Sequence, residues 1–100
     1  MLKLKNYTFI GPLPDTSPIQ NRSGVYSVLG STNSNDFFVV DVGESSYLKT
    51  RLDNHDRESC WLQNTNGFVF FAVLYESNVQ VRKAIEKDLR EHYKPACGVF

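Results

Sequence analysis

The apolar positions of this chain fall into short runs with two different periods. GVYSVLG (24–30) and FFVVDVG (37–43) are rich in β-branched and aromatic residues, and the polar cluster STNSND (31–36) separates them. Two such runs joined by a short polar segment predict a hairpin. FVFFAVLY (68–75) is apolar at every position, which predicts a central strand covered on both faces. Between these strands, Leu48 and Leu52 share one face of a helix predicted over 46–57, with Ser45 or Ser46 as its cap. CWLQNTNG (60–67) is expected to be a connector turning at Asn66-Gly67. Val81, Ile85 and Leu89 recur every fourth residue and predict a last helix. It should begin at Ser77 or Asn78, run to about Tyr93 and stop at Pro95.

The remaining segment carries little periodicity. Three prolines in GPLPDTSPIQNRS (11–23) make residues 1–22 an expected irregular lead-in to a single domain over 23–100. The predicted fold class is α/β: a small, mainly antiparallel three-stranded sheet flanked by helices in ββαβα order.

Composition narrows the class. At 100 residues, 41% hydrophobic and 22% charged, the chain is of ordinary globular size and make-up. No apolar run approaches the roughly 20 residues that a membrane span requires. The N-terminus lacks the apolar core of an export signal, so the expected location is cytoplasmic and Cys60 and Cys97 are expected to be reduced. Net charge is zero, unlike a generic nucleic-acid binder. Its distribution is uneven: residues 82–94 hold five bases against three acids, whereas residues 36–58 hold six acids against three bases. One basic helix can meet a phosphate backbone while the whole chain stays neutral; a solvated helix face is the plainer reading.

The residues that could carry chemistry cluster in two places. Tyr47, Arg51 and His55 would form one helical stripe, spaced by four residues and following Gly43. Glu86 lies between Arg82 and Arg90 at the same spacing, which suits a surface ion-pair ladder equally well. His55/Cys60 and His92/Cys97 raise a zinc site as a rival, without a familiar zinc spacing. Trp61 fits a core or lid position, or a platform for stacking on a base.

Gly24-Val25-Tyr26, Asp41-Val42-Gly43, Arg51, His55 and Glu86, with Leu89 and Pro95 at fixed offsets, together resemble the GIY-YIG nuclease superfamily across roughly residues 23–98. The second motif departs from the family, reading DVG where the family has YIG. The resemblance implies a Mg²⁺-dependent (or Mn²⁺-dependent) endonuclease acting on nucleic acid, DNA in the first instance. In that reading Glu86 holds the metal, Tyr26 positions or activates water, Arg51 steadies phosphoryl charge, and His55 assists by hydrogen bond or proton transfer. Gly43, Tyr47, Lys49, Arg82 and Arg90 would meet the substrate. Asp41 stays open: a second metal ligand, a partner for Arg51, a base, or the mark of a lost activity. With no appended DNA-binding region in this sequence, specificity would come from a homodimer, a protein partner or the shape of the substrate. The alternative is a weak or inactive module of the same type that binds nucleic acid or a protein.

Overall fold

The sheet contains more of the chain than its periodicity predicts. The structure, a computed structural model, describes residues 1–32 and 36–98. The described elements are five strands and three helices: β1 (Leu2–Leu4), β2 (Tyr7–Leu13), β3 (Gly24–Ser31), β4 (Phe37–Ser45), α1 (Leu48–Asp53), α2 (Glu58–Gln63), β5 (Val69–Tyr75) and α3 (Val79–Tyr93). The strands lie in the order β1-β2-β5-β3-β4, and every pairing is antiparallel. The α/β class stands, but the three-stranded ββαβα description does not. The supposed lead-in supplies β1 and β2. Phe9, spaced from Leu4 across the β1–β2 turn, is fully buried, and burial outweighs the breaking tendency of Gly11 and Pro12. Part of the predicted turn at 31–36 lies outside the described residues.

The strands from the apolar runs behave as expected. β3 and β4 pair from Gly24–Ser45 to Ser31–Phe37, with a register shift between Val28 and Leu29. β5 inserts between β2 and β3, and its residues reach hydrophobic clusters on both faces of the sheet. Phe71 and Val73 join one hydrophobic cluster with Tyr26, Leu48, Leu52 and Trp61. Ala72 joins a second cluster with Val25, Val42, Ile85 and Leu89, on the α3 side.

The helices need three corrections. The helix predicted over 46–57 is shorter, since α1 ends at Asp53, and a second short helix, α2, starts at Glu58 and takes up the first residues of the connector expected over 60–67. No side chain caps α1; Ser45 Oγ instead accepts from Tyr47 N at 3.0 Å, just ahead of the helix. On α3, Asn78 caps as predicted, accepting from Gln80 N and Val81 N. Val81, however, is 40% exposed, and Arg82 takes its place among the buried residues beside Ile85 and Leu89.

Cys60 and Cys97 are not free thiols: their sulfurs are bonded, across a sequence separation of 37 residues. The bond joins α2 to the segment after α3 and overturns the expectation of reduced cysteines. It also removes both thiolates from any zinc site, and His92 is exposed. None of the described helices is long and apolar enough to cross a membrane.

Candidate functional site

The site begins with a close approach between two strands. Tyr26 on β3 pairs with Gly43 on β4, and the phenol ring lies across the glycine. Any Cβ at Gly43 would collide with Tyr26 Oη and Cζ. Gly43 therefore does not stop the strand, which continues to Ser45; its missing side chain makes room for the tyrosine.

Tyr26 Oη lies 2.5 Å from His55 Nε2. The break between α1 and α2 makes this possible, because His55 occupies the turn and its side chain is fully covered. The ring packs on Trp61 with centroids 4.6 Å apart. Arg57 N–H donates to His55 Nδ1 at 3.1 Å, so Nδ1 carries no proton. His55 is held neutral at pH 7: burial first, then the charges of Arg51 and Arg57, bring its pKa down to about 4. Its single ring proton is then on Nε2, and Nε2–H donates to Tyr26 Oη. Burial, followed by the charge of Asp41, pushes the Tyr26 pKa up to about 12, so the hydroxyl keeps its proton at neutral pH. Tyr26 thus accepts from His55 and, at 3.4 Å, from Arg57 Nη2, while its own O–H finds no acceptor among the described residues.

Asp41 lies beneath this pair, fully buried on the same sheet face as Tyr26. It receives five hydrogen bonds: from Val42 N, Arg57 Nε and Nη2, Trp61 Nε1 and Arg90 Nη2, at 2.7–3.3 Å. A carboxylate with this many donors has its lone pairs taken up. Asp41 is therefore neither a metal ligand nor an exposed base, and its cationic partners are Arg57 and Arg90, not Arg51. Burial is the strongest single influence on Arg57 and lowers its pKa, but the hydrogen bond and charge of Asp41, with the charges of Tyr26 and Asp56, together leave it raised.

The other predicted residues divide between the site and the scaffold. Arg51 pairs with exposed Asp56 at 2.9 Å and bears electrostatically on both Tyr26 and His55. Glu86 is half-buried on α3 and forms an ion pair with Arg90 at 3.9 Å. Burial raises its pKa, the Arg90 charge lowers it and the Glu44 charge raises it again. Its charge also reaches Tyr26. The Arg82–Glu86–Arg90 ladder does not form as predicted: Arg82 is buried and clamps Glu44 Oε2 and the carbonyls of Glu76 and Ser77. Arg90 wraps around the outer edge of β4 to Asp41 and the Val42 carbonyl, and also holds the carbonyls of Cys97 and Gly98. Lys49 bonds the Thr16 carbonyl and Asp53, and Tyr47 stands 63% exposed. The stripe of Tyr47, Arg51 and His55 is broken because α1 ends before His55.

Sequence reasoning did not single out Arg57. It stands two residues beyond His55, and its partner lies 16 positions earlier in the chain. Only the fold brings them together. A hollow of about 380 Å³ lies away from these residues, beside Leu4, Phe37 and Tyr93, and one of about 250 Å³ lies beside Leu52, Asp53, Phe71 and the network's Trp61.

No group of three or more His, Cys, Asp or Glu side chains able to hold a metal occurs among the described residues. Glu86 offers a part-exposed carboxylate whose ion pair with Arg90, at 3.9 Å, is the longest of those at the site. Mg²⁺ retains several waters and often takes one or two carboxylates, so a single-carboxylate site at Glu86 fits this donor set. Zinc does not fit it. Compared with known proteins, the chain matches no family model, no curated protein and no solved structure.

Proposed function

We propose that this domain is a Mg²⁺-dependent endonuclease of GIY-YIG type, hydrolysing phosphodiester bonds in nucleic acid, with DNA as the first substrate to test. The observation that carries the reading is the linked set Tyr26–His55–Arg57, with the charges of Arg51 and Glu86 acting on the same phenol. These residues come from β3, α1, the turn before α2, and α3, and chain proximity alone would not assemble them. Further support is the path from β3 to α3: two antiparallel strands, two helices, a strand beside the first, and a helix on the other face.

Each residue has work suited to its state. Tyr26, protonated at neutral pH, donates its hydroxyl hydrogen and so positions water or a phosphoryl oxygen; it does not remove a proton. Neutral His55 fixes the phenol through Nε2–H. Arg51 and Arg57 place guanidinium charge where phosphoryl charge develops. Glu86 would hold Mg²⁺, which supplies charge neutralisation at the phosphate when bound. Specificity would come from self-association, a protein partner or substrate shape. The disulfide weighs against the cytoplasmic placement, since such bonds are rare there.

A second reading has its own observation. Tyr26 is only 1% exposed and the His55 side chain is fully covered. A domain whose phenol stays sealed would bind nucleic acid, or a protein, without cutting. The test is incubation with plasmid, branched DNA and RNA in Mg²⁺ or Mn²⁺, beside Glu86→Ala and Arg51→Ala. Cleavage that falls about a hundredfold or more in both variants is the expected result. Binding without cleavage, unchanged in Glu86→Ala, would replace the enzyme with the binding module.

A further inference from the structure

We infer that Asp41 and Arg57 form a phosphate-recognition unit: Asp41 is a positioning residue that holds one edge of the Arg57 guanidinium so that the remaining amino group, Nη1, donates to the non-bridging oxygens of a nucleic-acid phosphate. The inference rests on the proposed reading of this site and adds a substrate contact to it.

The geometry of Arg57 sets this out. Its Nε and Nη2 are bound to the two oxygens of Asp41, at 2.8 and 3.3 Å, and Nη2 also meets Tyr26 Oη. Nη1 has no acceptor among the described residues, and the side chain is 23% exposed. A guanidinium has five N–H donors in a rigid fork, and a fork held along one edge presents the rest in a fixed direction. Tyr26 adds a further donor, because His55 Nε2–H occupies its oxygen as an acceptor and its own proton is unclaimed. These two donor groups belong to neighbouring side chains and suit the oxygens of one tetrahedral anion.

Charge points the same way. Asp41 already has a counter-ion in Arg90 at 2.7 Å and two neutral donors in Trp61 Nε1 and Val42 N. Arg57 is thus a second guanidinium on one carboxylate. A residue needed only to neutralise Asp41 would not be required here. The arrangement also accounts for an aspartate at the start of DVG: at that position it aligns an arginine from beneath instead of touching the substrate.

The test uses the full chain and fluorescent single- and double-stranded oligonucleotides in EDTA, so that binding is read without cleavage. Arg57→Gln is expected to weaken binding about tenfold or more and to reduce the slope of log affinity against log salt by about one. Arg57→Lys should restore the slope but not the full affinity, because a point charge replaces a fork. Asp41→Asn keeps the Arg57 charge and loosens its aim, so affinity should fall with the slope unchanged; if its melting curve shows no folded state, the Arg57 pair decides. An Arg57→Gln protein with wild-type affinity and slope overturns the inference, as does a wild type without salt-dependent binding. The two readings fail separately. Binding that depends on Arg57 in a protein that never cuts keeps the inference and ends the hydrolase. Cleavage with binding indifferent to Arg57 does the reverse.

Discussion

The two faces of the sheet are built from the same strands by different means. On the α3 side, Val25, Leu29, Val42, Ala72, Ile85 and Leu89 meet in a hydrocarbon layer, with the Arg82–Glu44 ion pair beside it. On the α1–α2 side, Tyr26, Val28, Val40, Trp61 and Phe71 pack comparably well but surround a buried carboxylate and a buried imidazole. Alternation along β3 and β4 sends successive residues to opposite faces, so one hairpin supplies both layers. Hydrocarbon burial is non-directional and tolerates rearrangement. A buried polar network tolerates little, because each unpaired member carries a desolvation penalty. The α1–α2 face therefore commits specific atoms to specific places, as a chemical site needs, while the α3 face supplies the foundation.

The sharpest way to break this comparison is to remove the carboxylate. Asp41→Ala leaves Arg57 and Arg90 without their shared counter-charge and is expected to destabilise the fold by about 3–5 kcal/mol in urea titration. Leu89→Ala on the other face should cost about 2–5 kcal/mol from a cavity alone. Asp41 and Leu89 lie on opposite faces of the sheet, so the double variant should be additive within about 0.5 kcal/mol unless Arg90, which follows Leu89 and pairs with Asp41, couples them. A larger coupling would show that the faces are not independent.

Reduction comes next in size. The Cys60–Cys97 bond closes a loop with a separation of 37 residues, and its loss is expected to cost about 4 kcal/mol in the chain-entropy account. Urea midpoints with and without a dithiol reductant measure this. Trp61 is the chain's single tryptophan and sits beside Cys60 within the network. Its fluorescence should respond to reduction in native conditions, whereas packing around Leu89 should not. An unchanged midpoint would show that the bond constrains nothing.

The smallest of the three effects is that of pH. His55 has a folded pKa of about 4 against 6.5 for the unconstrained side chain. The unfolded chain therefore takes up the proton first, so this contribution is complete above pH 6.5 and is lost as pH falls towards 4. The loss is about 3 kcal/mol, offset at the lower end by Glu86, whose raised pKa acts in the opposite sense. Stability measured from pH 7 to pH 4 should fall in the wild type and in Leu89→Ala alike. His55→Gln should flatten the curve; a curve unaltered by that substitution would remove the imidazole from the explanation.

What was legible beforehand follows a physical divide. Local patterns were read well: the Ile85–Leu89 stripe, the Asn78 cap, the β3–β4 pairing and the doubly covered β5 all depend on near neighbours. β1 and β2 are not legible in the sequence because Gly11 and Pro12 interrupt a short apolar pattern whose value appears only when Phe9 is buried by the rest of the sheet. The helix predicted over 46–57 runs too far because Leu48 and Leu52 establish a face but not an end, and the break at Asn54 frees His55 to turn inward. Tyr26, Arg51, His55 and Glu86 were named from their order along the chain. Arg57, the pairing of the cysteines and the buried state of Asp41 were not, since each depends on a partner 16 or more residues away.

The segment after α3 has one further consequence. β4 is the outermost strand of its side of the sheet, and outer strands are where separate chains adhere by extending one another's ladders. Here Cys97 N takes the Val40 carbonyl and Arg90 takes that of Val42, so two successive outward-facing acceptors on this rim are already occupied from within. The residues that organise the carboxylate beneath the phenol thereby also guard the molecule against aggregation, and loosening them would expose a template for fibril-like stacking along with the interior.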